Sequence, residues 1–168
     1  MQVAISGASG KTGYRIAEEA LKAGHSVRLL LRKGSQLPES LSNCNISIVS
    51  LGNSKQLDIV LKNSDALLIA TGARPSIDLT GPARVDALGV KRQIASCQRA
   101  GVKRVVLVSS LCAGRWLHPL NLFGLILIWK RVGEKALENS GLDWTVIRPG
   151  GLTEKEEDLE KEGIRYSQ

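Results

Sequence analysis

Six short apolar runs alternate with segments of helical spacing, and a glycine-rich turn follows the first run directly. These observations predict an α/β chain built as a doubly wound parallel sheet in a single domain. The 168 residues, 43% of them hydrophobic, suit one compact domain with a substantial core. Residues 3–6 (VAIS) are apolar and partly β-branched and end at glycine, as a buried strand does. Ile16, Ala17, Ala20 and Leu21 then recur at helical spacing up to Ala23-Gly24, where glycine supplies a stop.

The alternation continues. Residues 27–31 and 46–51 read as strands, 57–61 as part of a helix ending near Asn63, and 66–70 as a strand. Residues 85–100 place Val85, Leu88, Ile94, Ala95 and Cys97 on one helix closed by Gly101, and 105–108 form a strand running into Ser109-Ser110. Glu134, Ala136 and Leu137 belong to a further helix, ended by Ser140-Gly141, before a strand at 145–147. Strands apolar on both faces call for a parallel sheet covered on both sides, and right-handed crossovers make the doubly wound order the default. Residues 1–152 make up this domain. Residues 153–168, with the run EKEEDLEKE, form a charged tail expected to be solvated.

Composition narrows the function classes. The net charge of +7 is compatible with an anionic cofactor, an anionic surface or nucleic acid. The basic residues are scattered and aromatics are only 4%, which argues against the stacking platform of a nucleic-acid binder. Cys44, Cys97 and Cys112 are odd in number and widely spaced, so neither a disulfide framework nor a metal site is expected. The apolar stretch 117–129 is interrupted by His118, Pro119 and Asn121 and falls short of the roughly 18 to 20 apolar residues a membrane span needs. The first residues lack the basic flank and cleavage site of a signal peptide, so a cytoplasmic protein is expected, or a stromal one if the source is a plant.

The turn Gly7-Ala8-Ser9-Gly10-Lys11-Thr12-Gly13 carries the chemistry. It leaves a strand and opens a helix, the setting in which a GxxGxxG sequence marks a Rossmann-type dinucleotide site. Gly7 is expected to permit the tight turn, Gly10 to let backbone approach a pyrophosphate, and Gly13 to allow close helix-to-strand packing. Ser9, Lys11 and Thr12 then meet phosphate at a helix N-terminus. The second strand ends in Leu31-Arg32-Lys33, where an NAD-binding chain commonly carries an acid for the ribose 2′-hydroxyl. A guanidinium there can pair with a 2′-phosphate, which favours NADP(H) over NAD(H); the alternative is that Arg32 and Lys33 are ordinary surface charges. Ala70-Thr71-Gly72 closes the fourth strand as a small-residue corner, expected beside the adenine side of the cofactor unless it is an ordinary turn.

Taken together, GASGKTG at 7–13, AGVKRVVLVSS at 100–110, HPLNLFG at 118–124 and SGLDWTVIRPGGL at 140–152 resemble the atypical short-chain dehydrogenase/reductases of the NmrA-like, NAD(P)H-binding group, in the form found in cyanobacteria and plastids. The resemblance implies that Ser109 or Ser110 lies near the nicotinamide and that Arg148-Pro149-Gly150-Gly151 closes over that end. It also implies that Lys130, with Glu134 four residues on, is the ribose-binding lysine of a YxxxK pair. The tyrosine position is then Ile126, which cannot donate a proton. Ser109, Ser110 or His118 could substitute, or the acceptor could be one that takes hydride without a protein acid, such as a flavin, quinone or tetrapyrrole. Two functions follow: NADPH-dependent reduction of a conjugated acceptor, with Ser109 and Lys130 as the catalytic candidates, or non-catalytic NADP(H) binding by a redox sensor or assembly factor with a protein partner. Relatives usually extend past RPGG with a further strand and helices around the substrate, so the substrate-side portion is expected to be shortened here.

Overall fold

A computed structural model describes residues 1–73 and 78–150 of the chain. The predicted tail at 153–168 and residue 151 of the RPGG sequence lie outside the described residues. Six strands, β1 (Gln2–Ser6), β2 (Ser26–Leu31), β3 (Asn45–Ile48), β4 (Ala66–Ile69), β5 (Arg104–Val108) and β6 (Asp143–Ile147), form one sheet in the order β3-β2-β1-β4-β5-β6. Every neighbouring pair is parallel, with Ile5 opposite Leu29 on one side and Leu68 on the other. The order reverses between β1 and β4, so their carboxyl ends diverge and leave a crevice there, the point at which such sheets take ligands.

The helices are α1 (Lys11–Lys22), α2 (Ser54–Leu61), α3 (Val90–Ala100) and α4 (Ile126–Glu138). One face of the sheet packs Ala4, Leu67, Val105 and Leu107 against Leu57, Ile94 and Leu137 from α2, α3 and α4. The other packs Val3, Ile5, Val27 and Leu29 against Ala17 of α1 and Leu41. Leu29, Leu57, Leu67 and Leu137 are fully buried, each contributing about 1.5–3 kcal/mol of transfer free energy. Cys44, Cys97 and Cys112 are free thiols, and burial pushes that of Cys97 up to about 12.

The expectation of a sheet covered on both sides holds for its centre but not its edges. Ile46 and Ile48 on β3 and Trp144 and Ile147 on β6 stay exposed among the described residues, because each outer strand has a neighbour on one side only. The strand predicted at 46–51 ends at Ile48. Val49 still donates to the Leu31 carbonyl at 2.8 Å, but from Ser50 the chain bonds to itself: the Ser50 hydroxyl accepts the Gly52 N–H at 3.2 Å and its carbonyl accepts the Asn53 N–H at 2.9 Å. Asn53 then caps α2, accepting the Gln56 N–H at 3.1 Å.

The segment predicted as one helix at 85–100 is two elements. A π-helical turn at Ala83–Gly89 leads into α3, which ends at Gly101 with a φ of +78°. Wide turns of this kind interrupt helices most often at functional sites, and this one lies beside the crevice.

Candidate functional site

The glycine turn joins β1 to α1 at the mouth of the crevice. Gly7 has a φ of +91°, and a Cβ there would lie 2.7 Å from the backbone of Ala70 and Thr71, so it meets the tight-turn requirement and a close approach to the end of β4. A Cβ on Gly13 would collide with the Gly7 carbonyl oxygen, the close helix-to-strand contact expected of that position. The Gly10 N–H donates to the Gly7 carbonyl at 2.9 Å and its missing Cβ keeps the turn open. Gly10 is the N-cap of α1 and offers no side-chain cap, and the first turn carries no acid. The positive dipole end of α1 thus meets the cleft at Gly10 without a side-chain cap, a setting suited to an anion.

This end of α1 opens on a cleft of about 530 Å³ walled by Gly7, Ser9 and Gly10 on one side and Thr71, Gly72 and Arg32 on others. A second hollow of about 600 Å³ shares Arg32 and Arg84 with it and adds Lys33 and Arg92. No carboxylate lines it among the described residues. Arg84 pairs with Asp78, whereas Arg92 lies over Gly52. The end of β2 thus presents cations, and α3 with its preceding turn supplies two more.

Farther along, Thr71 Oγ1 is buried and finds no hydrogen-bond partner among the described residues. Asp86, whose side chain is 3% exposed, accepts Lys130 Nζ at 2.8 Å and the Ala73 N–H at 3.0 Å. Lys130 is thereby brought beside Gly72, a residue of the cleft wall: a Cβ on Gly72 would lie 3.6 Å from its Nζ. Ile126, expected at the tyrosine position, is buried one turn earlier on α4.

Ser109 is buried, outside the lining of the cleft, with its hydroxyl near the Glu134 carboxylate but without a hydrogen bond of ordinary geometry. Glu134 is fully buried and accepts Arg148 Nε at 3.0 Å, Arg148 Nη2 at 2.9 Å and Arg131 Nη1 at 2.9 Å. Burial pushes its carboxyl up, but Arg148, Ser109 and Arg131 outweigh that and hold it below the ordinary carboxylate range. The same pairing fastens the segment after β6, where the Pro149 carbonyl accepts the Leu111 N–H at 3.0 Å. His118 is engaged locally, its Nδ1 accepting the Leu120 N–H at 3.3 Å.

The structure therefore gathers Gly7, Ser9, Gly10, Arg32, Ala70, Thr71 and Gly72 around one cleft. Ala8, Lys11, Thr12, Gly13, Ser109, Lys130 and Pro149 lie outside its lining, Lys33 lines the second hollow, and Lys130 sits beside Gly72. Sequence reasoning missed Asp86, Arg84 and Arg92. An acid at 86 in phase with Val90, Ile94 and Cys97 places a charge on the buried face of a helix, a signal that was available.

The uncapped α1 terminus, the space that a Cβ at Gly7 or Gly13 would fill, the orphaned Thr71 hydroxyl and the cations beyond β2 fit a dinucleotide. Fold and cleft define a Rossmann-type nucleotide-binding protein. Residues 7–165 match the family described as NAD(P)H-binding, and the chain belongs to that NmrA-like family. It is 36% identical to an uncharacterised chloroplastic protein of Arabidopsis thaliana over 90% of this chain and 59% of that protein. It is 32% identical to sanguinarine reductase of Eschscholzia californica over 92% of this chain and 71% of that enzyme. Among solved structures, a Bacillus halodurans protein provisionally assigned as an NAD-dependent epimerase/dehydratase superposes with a TM-score of 0.83 at 28% identity, covering 93% of this chain and 73% of that one. The chain thus spans a little over half the length of its chloroplastic relative. No helix among the described residues is long and apolar enough to cross a membrane.

Proposed function

We propose that the chain binds NADP(H) in preference to NAD(H) and reduces a flat, conjugated acceptor of the flavin, quinone or tetrapyrrole type. The observation that carries the cofactor preference is the hollow at the end of β2, lined by Arg32, Lys33 and Arg92 and by no carboxylate among the described residues. Gly7, Gly10 and Gly13 shape the phosphate cradle, and Ser9, Lys11 and Thr12 surround the phosphates. Arg32 and Lys33 take the 2′-phosphate, and Ala70, Thr71 and Gly72 wall the cofactor on the β4 side. Lys130 takes ribose hydroxyls, and Ser109 and Pro149 border the nicotinamide end. Bound NADPH supplies a hydride donor; the protein orients it and excludes water.

Ile126 supports an acceptor that needs no protein acid, since isoleucine cannot donate a proton. A conjugated acceptor also accords with a relative named as a reductase. The same Ile126 favours a second reading, a non-catalytic NADP(H)-binding sensor or assembly factor whose cofactor shifts the population of a partner-competent state. The likeness to a chloroplastic protein supports a plastid stroma as the setting if the source is a plant. The decisive experiment mixes the chain with NADPH and a panel of flavin, quinone and tetrapyrrole acceptors and follows reduced-nicotinamide absorbance. Saturable decay with one acceptor class establishes the reductase; NADPH binding with no decay against any of them selects the second reading.

A further inference from the structure

Asp86 is a buried acid that the phosphate cradle and the adenine-side cations do not use. Both of its oxygens are engaged on different elements: Oδ1 holds Lys130 Nζ at 2.8 Å from α4, and Oδ2 holds the Ala73 N–H at 3.0 Å from the loop after β4. The π turn places it there. That turn crosses α4 at Gly133, where a Cβ would collide with the Asp86 carbonyl oxygen, so the backbone of Asp86 lies directly against the helix that carries Lys130. A Cβ on Gly72 would sit 3.6 Å from Lys130 Nζ and 3.7 Å from Asp86 Oδ1, which sets the ion pair beside Gly72, a residue of the cleft wall.

A lysine ammonium is a point charge on a flexible four-carbon stem, and an unheld lysine must be ordered when ligand arrives. Asp86 removes that cost in advance. We propose that Asp86 is a positioning residue that fixes the Lys130 ammonium against Gly72, leaving two of its three N–H donors for the hydroxyls of the nicotinamide-side ribose. The same carboxylate holds Ala73, so the lysine and the wall it serves move as one unit. The inference rests on the reading of the cleft as an NADP(H) site.

The test compares NADPH with 2′,5′-ADP, which carries the adenine half and lacks the nicotinamide-side ribose. Asp86→Asn keeps an acceptor for Ala73 but loses the charge that holds Lys130. The wild-type chain, Asp86→Asn, Lys130→Met and the double variant are titrated with both ligands, by cofactor fluorescence for NADPH and by calorimetry for 2′,5′-ADP. Asp86→Asn should weaken NADPH about tenfold, the scale of one charge-assisted hydrogen bond, and leave 2′,5′-ADP within about twofold. Added to Lys130→Met it should cause no further loss, because the two act as a unit. Equal weakening of both ligands, unchanged NADPH affinity, or a full loss that persists in the Lys130→Met background would overturn the proposal. So would an Asp86→Asn chain that fails to fold where Lys130→Met folds, since Asp86 would then serve the fold rather than the lysine. A wild-type chain that binds neither ligand sinks the cofactor reading and this inference with it, whereas a failure confined to the variants leaves the cofactor reading standing.

Discussion

Replacing Glu134 by glutamine removes the charge at the centre of the cluster that fastens the Arg148-Pro149 segment to α4. The carboxylate is fully buried and accepts three guanidinium N–H groups, two from Arg148 and one from Arg131. Breaking a buried pair from one side costs about 3–5 kcal/mol when the surviving charge stays buried. Here the survivors are better placed: the side chains of Arg131 and Arg148 are 33% and 44% exposed and can regain water. Glutamine also keeps one acceptor, so about 2 kcal/mol is expected at pH 7. Urea unfolding should show a lower midpoint at unchanged slope. The pH dependence carries a definite sign. A carboxyl held below its ordinary value in the folded chain stabilises fully above the unfolded value of about 4.3, and loses that contribution as pH falls through the lower folded value. The wild-type and Glu134→Gln stabilities should therefore converge as the solution is acidified below about pH 4. A variant within about 0.5 kcal/mol of wild type at pH 7, or a gap that widens in acid, would refute the reasoning.

Two further substitutions address the cofactor site. Arg32→Ala should weaken NADPH about tenfold and leave NADH nearly unchanged, because one exposed charge-assisted contact to the 2′-phosphate is lost; the difference should shrink as salt rises. Equal weakening of both nucleotides in parallel titrations would assign Arg32 to surface solvation. Gly7→Ala should lower stability by about 2–3 kcal/mol, since the positive φ disfavours any Cβ and this one meets the Ala70 and Thr71 backbone at 2.7 Å. A thermal midpoint within a degree or two of wild type would show that the turn relaxes at little cost.

Much of the architecture was legible in the sequence because its signals are local. The strand 3–6, the glycine turn and the helix after it are set by a change of period and by positions that admit no Cβ, and Gly7 and Gly13 meet those constraints in the structure. The absence of an acid after Leu31 was equally plain, and the cations there do face a hollow. What sequence did not reveal depends on long-range packing. The π turn at Ala83–Gly89 adds to the helical repeat, so counting by 3.6 runs straight through it; the phase marks Asp86 as inward but not the crossing at Gly133 that sets it against Lys130. Arg92 reads as a solvated charge on α3 until β3, ending early at Ile48, lets the following loop bring Gly52 beneath it. The pairing of Glu134 with Arg148 joins residues separated by a whole strand, and only the parallel register of β6 beside β5 brings them together.

The central claim is that the cleft between β1 and β4 holds NADP(H). Its most direct test is a fluorescence titration of the wild-type chain with NADPH and, in parallel, with NADH. Saturable binding with NADPH tighter by about tenfold or more is the predicted result, set by the contact of the 2′-phosphate with the Arg32 side of the cleft. Equal affinity for the two nucleotides would contradict the assignment of that cationic hollow, and no saturable binding of either would contradict the claim itself.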